Sequence, residues 1–454
     1  MFLRTLLFLL LPCTCVSAQK MLPVEALPGM VDTIHDKIVE LHPFAFLPQG
    51  IEALNAARTQ VQAAVQEAGK GQDSISLIEF SKLVSPLQEP TNCGHLILAP
   101  FYDSTTYKAV RENVFPVVLT QVEGGRYLLK RGVRTSTDSL PPATEITAIN
   151  GLQVEPMIES MRYFAGLNDQ GNVNATRAAI ARYPALYYQN YYGLQDSLEI
   201  QLVDSLGRPG KRIIYPTNRP YTNPKKTKTD INKTLQFKLS DDGSTGILSI
   251  RSFKTMEFYN GNYYRFLRNT FDSIKTLGLD QLVIDIRNNT GGSSGRINYL
   301  FAFLAERPFQ FSSRATLTGP TQAVAGEDAS TTQRRLAGAV SKRERKIQKA
   351  LTKFLKPRKK KERYTGRVVV LINEVSFSAS GMFARFVQGS GRGKLVGTTS
   401  GAAAGTTFGG NSKTRKPIYL GPNDALELRV NTIGLTLPFP IAGNVSPDVN
   451  VPIT

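Results

Sequence analysis

The C-terminal half of the chain alternates short apolar runs with amphipathic segments, and this alternation constrains its fold most strongly. QLVIDIR (281–287) and RVVVLINE (367–374) are rich in β-branched residues, which is typical of strands buried on both faces. A polar loop and then an apolar pattern with helical spacing follow each run. We therefore predict an α/β domain with a largely parallel sheet over residues 236–454.

The two loops that follow these strands carry residues suited to acyl transfer. In open α/β sheets, ligands bind outside the carboxyl ends of the strands. The loop NNTGGSSG supplies Gly291 and Gly292, whose N–H groups can approach a substrate closely and stabilise an oxyanion. The loop NEVSFSAS places Ser376, Ser378 and Ser380 where a helix begins, so that one of them is a candidate nucleophile. Taken alone, a serine at a helix start is more often a cap, and a Gly-Gly pair is more often a turn.

Two blocks around these loops resemble the carboxyl-terminal-processing and tricorn-core family of serine peptidases. They are VIDIRNNTGG (283–292) and LINEVSFSASGMFA (371–384), with further likeness in the strand SIRSF (249–253) and in the closing NVSPDVNVPIT (444–454). The resemblance implies an α/β fold with a ClpP/crotonase-like catalytic domain. It also implies a serine-type peptidase that needs no metal or other cofactor.

The resemblance assigns roles by position within the blocks. Ser378 takes the place of the nucleophile, and the oxyanion donors are the N–H groups of Ala379 and of Gly291 or Gly292. Three residues are implied to support the glycine loop, namely Asp285, Arg287 and Asn288.

The general base is expected to be a histidine. One branch of the family pairs its serine with a downstream lysine, but the aligned position here is Ala403. The tricorn branch uses a histidine in a short motif before a strand, and NCGHLIL matches that motif at His95. Imidazole accepts a proton near neutral pH, so His95 is the expected base for Ser378. His35 and His42 lie in helix-like surroundings and are expected to be structural.

The third group of the site is not evident from the sequence. The tricorn branch has a glutamate near its C-terminal segment, and the aligned position here is Ile441. Asp448 and Glu427 are alternatives, although each is more often a structural residue in such a position.

Residues 1–18 have the features of a secretory signal peptide. A positive start precedes the apolar run 6–11, and Val-Ser-Ala forms a small-residue exit. We therefore expect a secreted or periplasmic protein, with a lipid anchor at Cys13 as a minor alternative. After removal of this segment Cys93 is the one remaining cysteine, expected to be small, buried and without a disulfide partner.

The rest of the chain divides into segments of different character. Residues 19–104 read as a helical region that carries the histidine motif, and 105–215 as a β-rich region. Within it LPPATEITAINGLQV (140–154) resembles the core of a PDZ-like domain, which implies either binding of an extended peptide or a degenerate packing module. Residues 216–235 are polar and contain prolines, typical of a linker, and 236–454 form the predicted catalytic domain.

A basic insertion interrupts the catalytic domain near 334–367. It holds 15 Lys/Arg against two acids, giving +13 of the chain's net +19. Its predicted helix has an apolar stripe made of Ile347, Ala350, Leu351, Phe354 and Leu355. The segment 342–363 is either a solvated lid, which we favour, or a surface for an anionic membrane or acidic polymer. Nucleic acid is not an expected partner.

The sequence thus predicts a secreted or periplasmic serine endopeptidase that acts on peptides or proteins. Two alternatives stay open. The first is a non-catalytic peptide-binding protein on the same fold, and the second is a surface-binding protein that acts through the basic helix.

Overall fold

The structure is a computed structural model, and it describes nine segments of the chain. These are residues 20–100, 115–164, 169–182, 184–193, 195–216, 234–254, 262–318, 342–409 and 417–451. The predicted signal peptide, most of the predicted linker and the start of the basic insertion lie outside the described residues.

Helices and strands alternate through most of this part of the chain. The helices are α1 Leu27–Leu41, α2 Gly50–Gly69, α3 Leu77–Val84, α4 Val154–Ser160, α5 Val173–Arg182, α6 Pro184–Tyr192, α7 Asn262–Thr276, α8 Ser294–Leu304, α9 Lys342–Thr352 and α10 Ala379–Gly389. The strands of the N-terminal half are β1 Met21–Pro23, β2 Ser74–Ser76, β3 Ile97–Pro100, β4 Leu119–Gln121, β5 Tyr127–Leu129, β6 Val133–Arg134, β7 Ser139–Leu140, β8 Glu145–Ile149, β9 Leu152–Gln153, β10 Leu198–Val203 and β11 Pro209–Ile214. Those of the C-terminal half are β12 Leu235–Leu239, β13 Thr245–Ile250, β14 Gln281–Asp285, β15 Phe309–Gln310, β16 Arg314–Leu317, β17 Phe354–Leu355, β18 Arg367–Ile372, β19 Lys394–Gly397, β20 Thr406–Gly409, β21 Ile418–Leu420, β22 Leu426–Arg429, β23 Ile433–Thr436 and β24 Val449–Asn450.

The C-terminal half is built around one mainly parallel sheet, as the sequence predicts. Its strand order is β12-β13-β14-β18-β19-β24, and only the β12–β13 pair is antiparallel. Side chains of α7, α8 and α10 pack on this sheet in one apolar cluster with the inward residues of β13, β14 and β18. The prediction of an α/β fold is therefore confirmed. The ends of β14 and β18 lie side by side because these two strands are neighbours in the sheet.

The N-terminal helices share their core with strands from the far end of the chain. α1, α2 and α3 pack with β3, β21 and β22 in a second apolar cluster. β3 pairs with β22, with Leu98 opposite Leu428. The residues just before β3, which carry the predicted histidine motif, are thereby attached to the C-terminal part of the chain.

The middle region is an antiparallel sheet covered by three helices. Its order is β11-β10-β8-β5-β4, and β9 pairs with β8. Asn150 and Gly151 both have positive φ, at 47° and 78°, and form a tight turn between β8 and β9. α4, α5 and α6 pack on the sheet. Its predicted kinship to PDZ domains is not confirmed and stays a prediction.

The basic segment differs from its predicted form. α9 ends at Thr352, whereas Phe354 and Leu355 form β17, which pairs with β15. The prediction that these two residues extend a helical stripe is wrong, because pairing with a strand distant in sequence overrides local helical spacing. Among the described helices, none is both long and apolar enough to cross a membrane.

Candidate active site

Ser378 occupies a strained turn between β18 and α10. Its φ and ψ are 55° and −123°, a region that non-glycine residues rarely adopt and that is found mostly at functional sites. Although Ser378 is the N-cap residue of α10, its side chain makes no capping hydrogen bond. The side chain is partly exposed, while Phe377 and Ala379 on either side are buried. A cap would explain neither the strain nor the exposure.

The two neighbouring serines have different surroundings. The Ser376 hydroxyl donates to the Ile286 carbonyl at 2.9 Å and accepts from the Asn373 N–H at 3.1 Å, so it fastens the turn to the end of β14. Ser380 is fully buried, and its hydroxyl has no hydrogen-bond partner among the described residues. Ser378 is therefore the serine of this group that a substrate can reach.

The glycine loop lies directly against Ser378. A Cβ added at Gly291 would sit 2.8 Å from the Ser378 Cβ and 2.9 Å from the Ala379 nitrogen. A Cβ at Gly292 would lie 2.1 Å from the Phe253 carbonyl carbon. Both glycines also have positive φ, so no other residue fits here without displacing the backbone. The Gly291 N–H already donates to the Asn289 side chain at 2.9 Å.

The predicted supporting residues tie the two loops together. The Asp285 carboxylate accepts from the Arg287 guanidinium at 3.0 Å and lies 3.1 Å from Arg251. Burial of Asp285 raises its pKa, but the hydrogen bonds from Arg287 and the charge of Arg251 outweigh it, so the pKa is lowered overall. The Asn288 N–H donates to the Asn373 Oδ1 at 2.8 Å, which joins the glycine loop to the serine turn.

His95 reaches the serine turn from the N-terminal region. Its ring stacks on Phe377, with the ring centroids 4.5 Å apart and the planes at 29°. Phe377 directly precedes Ser378, so the imidazole, which comes from the residues just before β3, contacts the residue next to the strained serine. The pairing of β3 with β22 holds this segment in place.

Asp169 lies near His95, and sequence reasoning missed it. Its Oδ1 lies 3.8 Å from the His95 Nδ1, and its side chain is almost fully buried. It stands in the stretch LNDQGN, an insertion of the middle region that matches no motif. The one local signal is a turn-forming Asp-Gln-Gly sequence, and nothing in it points to a histidine 74 residues upstream.

The carboxylates considered from the sequence have other partners. The Asp448 Oδ2 accepts from the Leu395 N–H at 2.7 Å within the sheet edge, and Glu427 pairs with Arg429. Ile441 is 45% exposed.

The two other histidines have structural surroundings, as expected. The His35 Nδ1 lies 3.0 Å from an oxygen of Asp36, its neighbour in the chain. The buried His42 accepts the Phe44 N–H at 3.2 Å, and its ring packs against Phe408. Burial and the nearby His95 lower the pKa of His42 to about 3, so its ring is neutral.

Cys93, His95 and Asp169 form a cluster of potential metal ligands. Within the described residues, they form the one group of three His, Cys, Asp or Glu side chains whose ligand atoms all lie within 4.8 Å of one another. A metal would require the Cys93 thiolate. With no metal bound, burial and the adjacent Asp169 raise the pKa of Cys93 to about 12, so the thiol is protonated at neutral pH. The thiol fits the predicted role of a small buried side chain.

The chain is similar to known peptidases in sequence and in fold. Residues 244–411 match the family model of peptidase family S41. Over 95% of its length the chain resembles the crystal structure of a CPAF mutant, at 14% identity, a TM-score of 0.65 and 93% coverage of that chain. It resembles mature CPAF at 13% identity and a TM-score of 0.61, with 95% of this chain and 93% of that chain covered. For mature CPAF complexed with lactacystin the identity is 14% and the TM-score is 0.62, with coverages of 95% and 94%. A comparison with curated protein sequences finds no match.

At such identities the structural likeness establishes the fold, while the family assignment comes from the sequence match. The matched segment contains the strained serine, the glycine pair and the strands that hold them. The predicted family and enzyme class are confirmed. Residues 244–411 therefore carry a segment of the peptidase family S41 type, which indicates a serine-type peptidase.

Proposed function

We propose that this chain is an endopeptidase in which Ser378 is the nucleophile and His95 the general base. The observation that carries the proposal is the strained, partly exposed Ser378, set against Gly291 and next to the Phe377 ring on which His95 stacks. A hydroxyl becomes an effective nucleophile when a nearby base removes its proton, and imidazole is suited to this task near neutral pH.

The chemistry follows from these positions. The Ser378 Oγ attacks a peptide carbonyl carbon while His95 takes the hydroxyl proton. The amine of the scissile bond then leaves with that proton, and an acyl-enzyme forms. A water molecule, deprotonated by His95, cleaves the ester and restores the serine.

The oxyanion is assigned to the N–H groups of Gly292 and Ala379. The Gly291 N–H is engaged by Asn289, so we give Gly291 a steric role in place of the predicted donor role. Ala379 is the first residue of α10, and its N–H has no acceptor within the helix. The positive end of the helix dipole adds to the stabilisation of negative charge at this point.

We further propose that the mature enzyme acts outside the cytoplasm. The support for this is the predicted signal peptide at 1–18. Processing at that segment is testable by N-terminal sequencing of protein recovered from the medium or periplasm. An intact N-terminus on an internal, unprocessed protein would contradict the proposal.

An active-site-directed fluorophosphonate tests the catalytic assignment. We expect the wild-type protein to be labelled and Ser378→Ala to give no labelling. Ser380→Ala is the matched control, because it removes a buried hydroxyl that has no partner among the described residues. This control should be labelled like the wild type.

The same experiment separates the peptidase from its first rival, a peptide-binding protein on the same fold. A folded wild-type protein that no fluorophosphonate labels, and that leaves an unstructured protein substrate uncut, would support the rival and overturn our proposal. Labelling that persists in Ser378→Ala would show a different nucleophile. Mass spectrometry of the products would show whether cleavage occurs inside a polypeptide, as expected of an endopeptidase.

A further inference from the structure

We propose that Asp169, supplied by the middle region, is the positioning residue that orients His95 and stabilises its protonated form. This inference rests on the proposed function. It identifies the third group of the site, for which the sequence offered only Asp448 and Glu427.

The Asp169 carboxylate is buried and held on both oxygens. Oδ1 accepts the Gly94 N–H at 2.9 Å, and Oδ2 accepts the Thr407 hydroxyl at 3.2 Å and the Ala403 N–H at 3.4 Å. The Asp169 backbone N–H also donates to the Gly401 carbonyl at 2.7 Å. These bonds fix the carboxylate before any substrate arrives, which is the condition for electrostatic preorganisation.

The charge of this carboxylate has His95 as its counterpart. Burial of a carboxylate is costly unless a cation or hydrogen bonds compensate it. In the described part of the chain, no lysine or arginine lies within ion-pair distance of Asp169, whereas the His95 Nδ1 lies 3.8 Å away. An imidazolium formed when His95 takes a proton would therefore meet a preplaced negative charge.

The separation of 3.8 Å between the His95 Nδ1 and the Asp169 Oδ1 exceeds a hydrogen bond. Gly94, whose N–H binds the same carboxylate oxygen, is the residue next to His95, so the carboxylate is anchored at the turn that carries the imidazole. Catalytic hydrogen bonds are often long in unliganded enzymes and tighten in the substrate complex. A shift of about 0.8 Å would bring the pair within hydrogen-bond distance.

Two other titratable groups near His95, His42 and Cys93, carry no charge at neutral pH. Burial holds the His42 ring neutral, with a pKa of about 3, and keeps the Cys93 thiol protonated, with a pKa of about 12. Asp169 is thus the charged group that faces His95 in this cluster. Its removal should change how the reaction depends on pH, an effect that a purely structural role would not produce.

The test is the rate of fluorophosphonate labelling as a function of pH in Asp169→Asn. We expect the rate to fall by about 10²- to 10⁴-fold. We also expect the pH dependence of the rate to change, because the negative charge 3.8 Å from the His95 Nδ1 is gone. Thr407→Val is the matched control, since it removes one hydrogen bond of the carboxylate but keeps its charge. It should keep the wild-type midpoint and lose at most a few-fold in rate.

A second variant guards against misfolding. In Asp169→Ala, added formate can occupy the vacated carboxylate position, and we expect it to raise the labelling rate in a concentration-dependent way. Wild-type rate and midpoint in Asp169→Asn would overturn the inference while the proposed function stands. The inference would also be overturned if Asp169→Asn lost no more labelling rate than Thr407→Val and kept the wild-type midpoint. A folded Asp169→Ala protein whose labelling rate formate does not raise would overturn it as well. Absence of labelling in the wild type would instead overturn the proposed function.

Discussion

At the scale of single residues, the close packing of the two loops requires a glycine at position 291, which has no side chain. The backbone of Ser378 is strained, and because Gly291 has no Cβ, the glycine loop can lie directly against it. A methyl group at Gly291 would press on the Phe377 carbonyl oxygen at 2.7 Å as well as on Ser378 itself. These neighbours are backbone or first side-chain atoms, which have little freedom to yield.

We predict that Gly291→Ala lowers the labelling rate of Ser378 strongly while the protein still folds. The labelling rate should fall about 100-fold or more, since a displacement of about 1 Å at a catalytic group has effects of that size. Gly295→Ala is the control, because its Cβ would have no neighbour closer than 3.6 Å and the residue lies within α8. That variant should label normally and melt at the same or a slightly higher temperature. Equal labelling rates in Gly291→Ala and Gly295→Ala would contradict the steric role that we assign to Gly291.

At the scale of elements, α9 combines a strongly basic surface with an attachment to the catalytic core. Leu351 is partly buried and packs against the core cluster of the catalytic sheet, and α9 lies on β16. By contrast, Lys346, Lys349 and Lys353 are exposed. The apolar contact therefore holds the helix, while the lysines are solvated, and the lid stays a prediction.

Two sets of substitutions should separate these contributions. Leu351→Ala should lower the free energy of unfolding by about 1–2 kcal/mol, less than the 2–5 kcal/mol typical of a fully buried leucine. Reversal of charge at the three exposed lysines should change neither the unfolding free energy nor the labelling rate by a measurable amount. Urea denaturation and labelling kinetics are the measurements.

The lysine variant also tests the alternative of an anionic partner. We expect the wild type and the charge-reversed protein to behave alike on vesicles of anionic lipid at physiological salt. Wild-type binding that the reversal abolishes would overturn our preference for the lid and support a surface-binding role for 342–363.

At the scale of the whole molecule, the proposed site is assembled from three regions that are far apart in the chain. His95 comes from the N-terminal helical region, Asp169 from the middle region and Ser378 from the catalytic sheet. Buried His42 belongs to the same assembly, because it packs against Phe408 and stands near His95. Burial disfavours the protonated form of His42, so the stability of the fold depends on pH.

We predict that acid destabilises the protein partly through His42. Its pKa is about 3 in the folded chain and 6.5 in the unfolded chain. Between these values the unfolded state binds more protons, so the free energy of unfolding falls as pH decreases below 6.5, by about 1.4 kcal/mol per pH unit. His42→Asn keeps a side-chain acceptor for the Phe44 N–H but does not titrate.

The comparison is the change in unfolding free energy between pH 7 and pH 5.5 in the two proteins. The variant should be less stable at both pH values, because the ring packing is lost, yet its decrease on acidification should be smaller by about 1 kcal/mol. An equal decrease in both proteins would show that His42 is not the group responsible.

Local patterns in the sequence determined the elements and the chemistry that two of them carry. Buried strands followed by helices were readable because a sheet covered on both faces needs continuous apolar runs, and Gly291 and Ser378 were readable because they stand where such strands end. Short motifs also singled out His95.

The tertiary structure decided the rest. It separated Ser378 from Ser376 and Ser380 by its strained backbone and its partial exposure. It also placed Phe354 in a strand and Asp169 beside His95, because both positions result from contacts between segments distant in the chain, which no local pattern encodes.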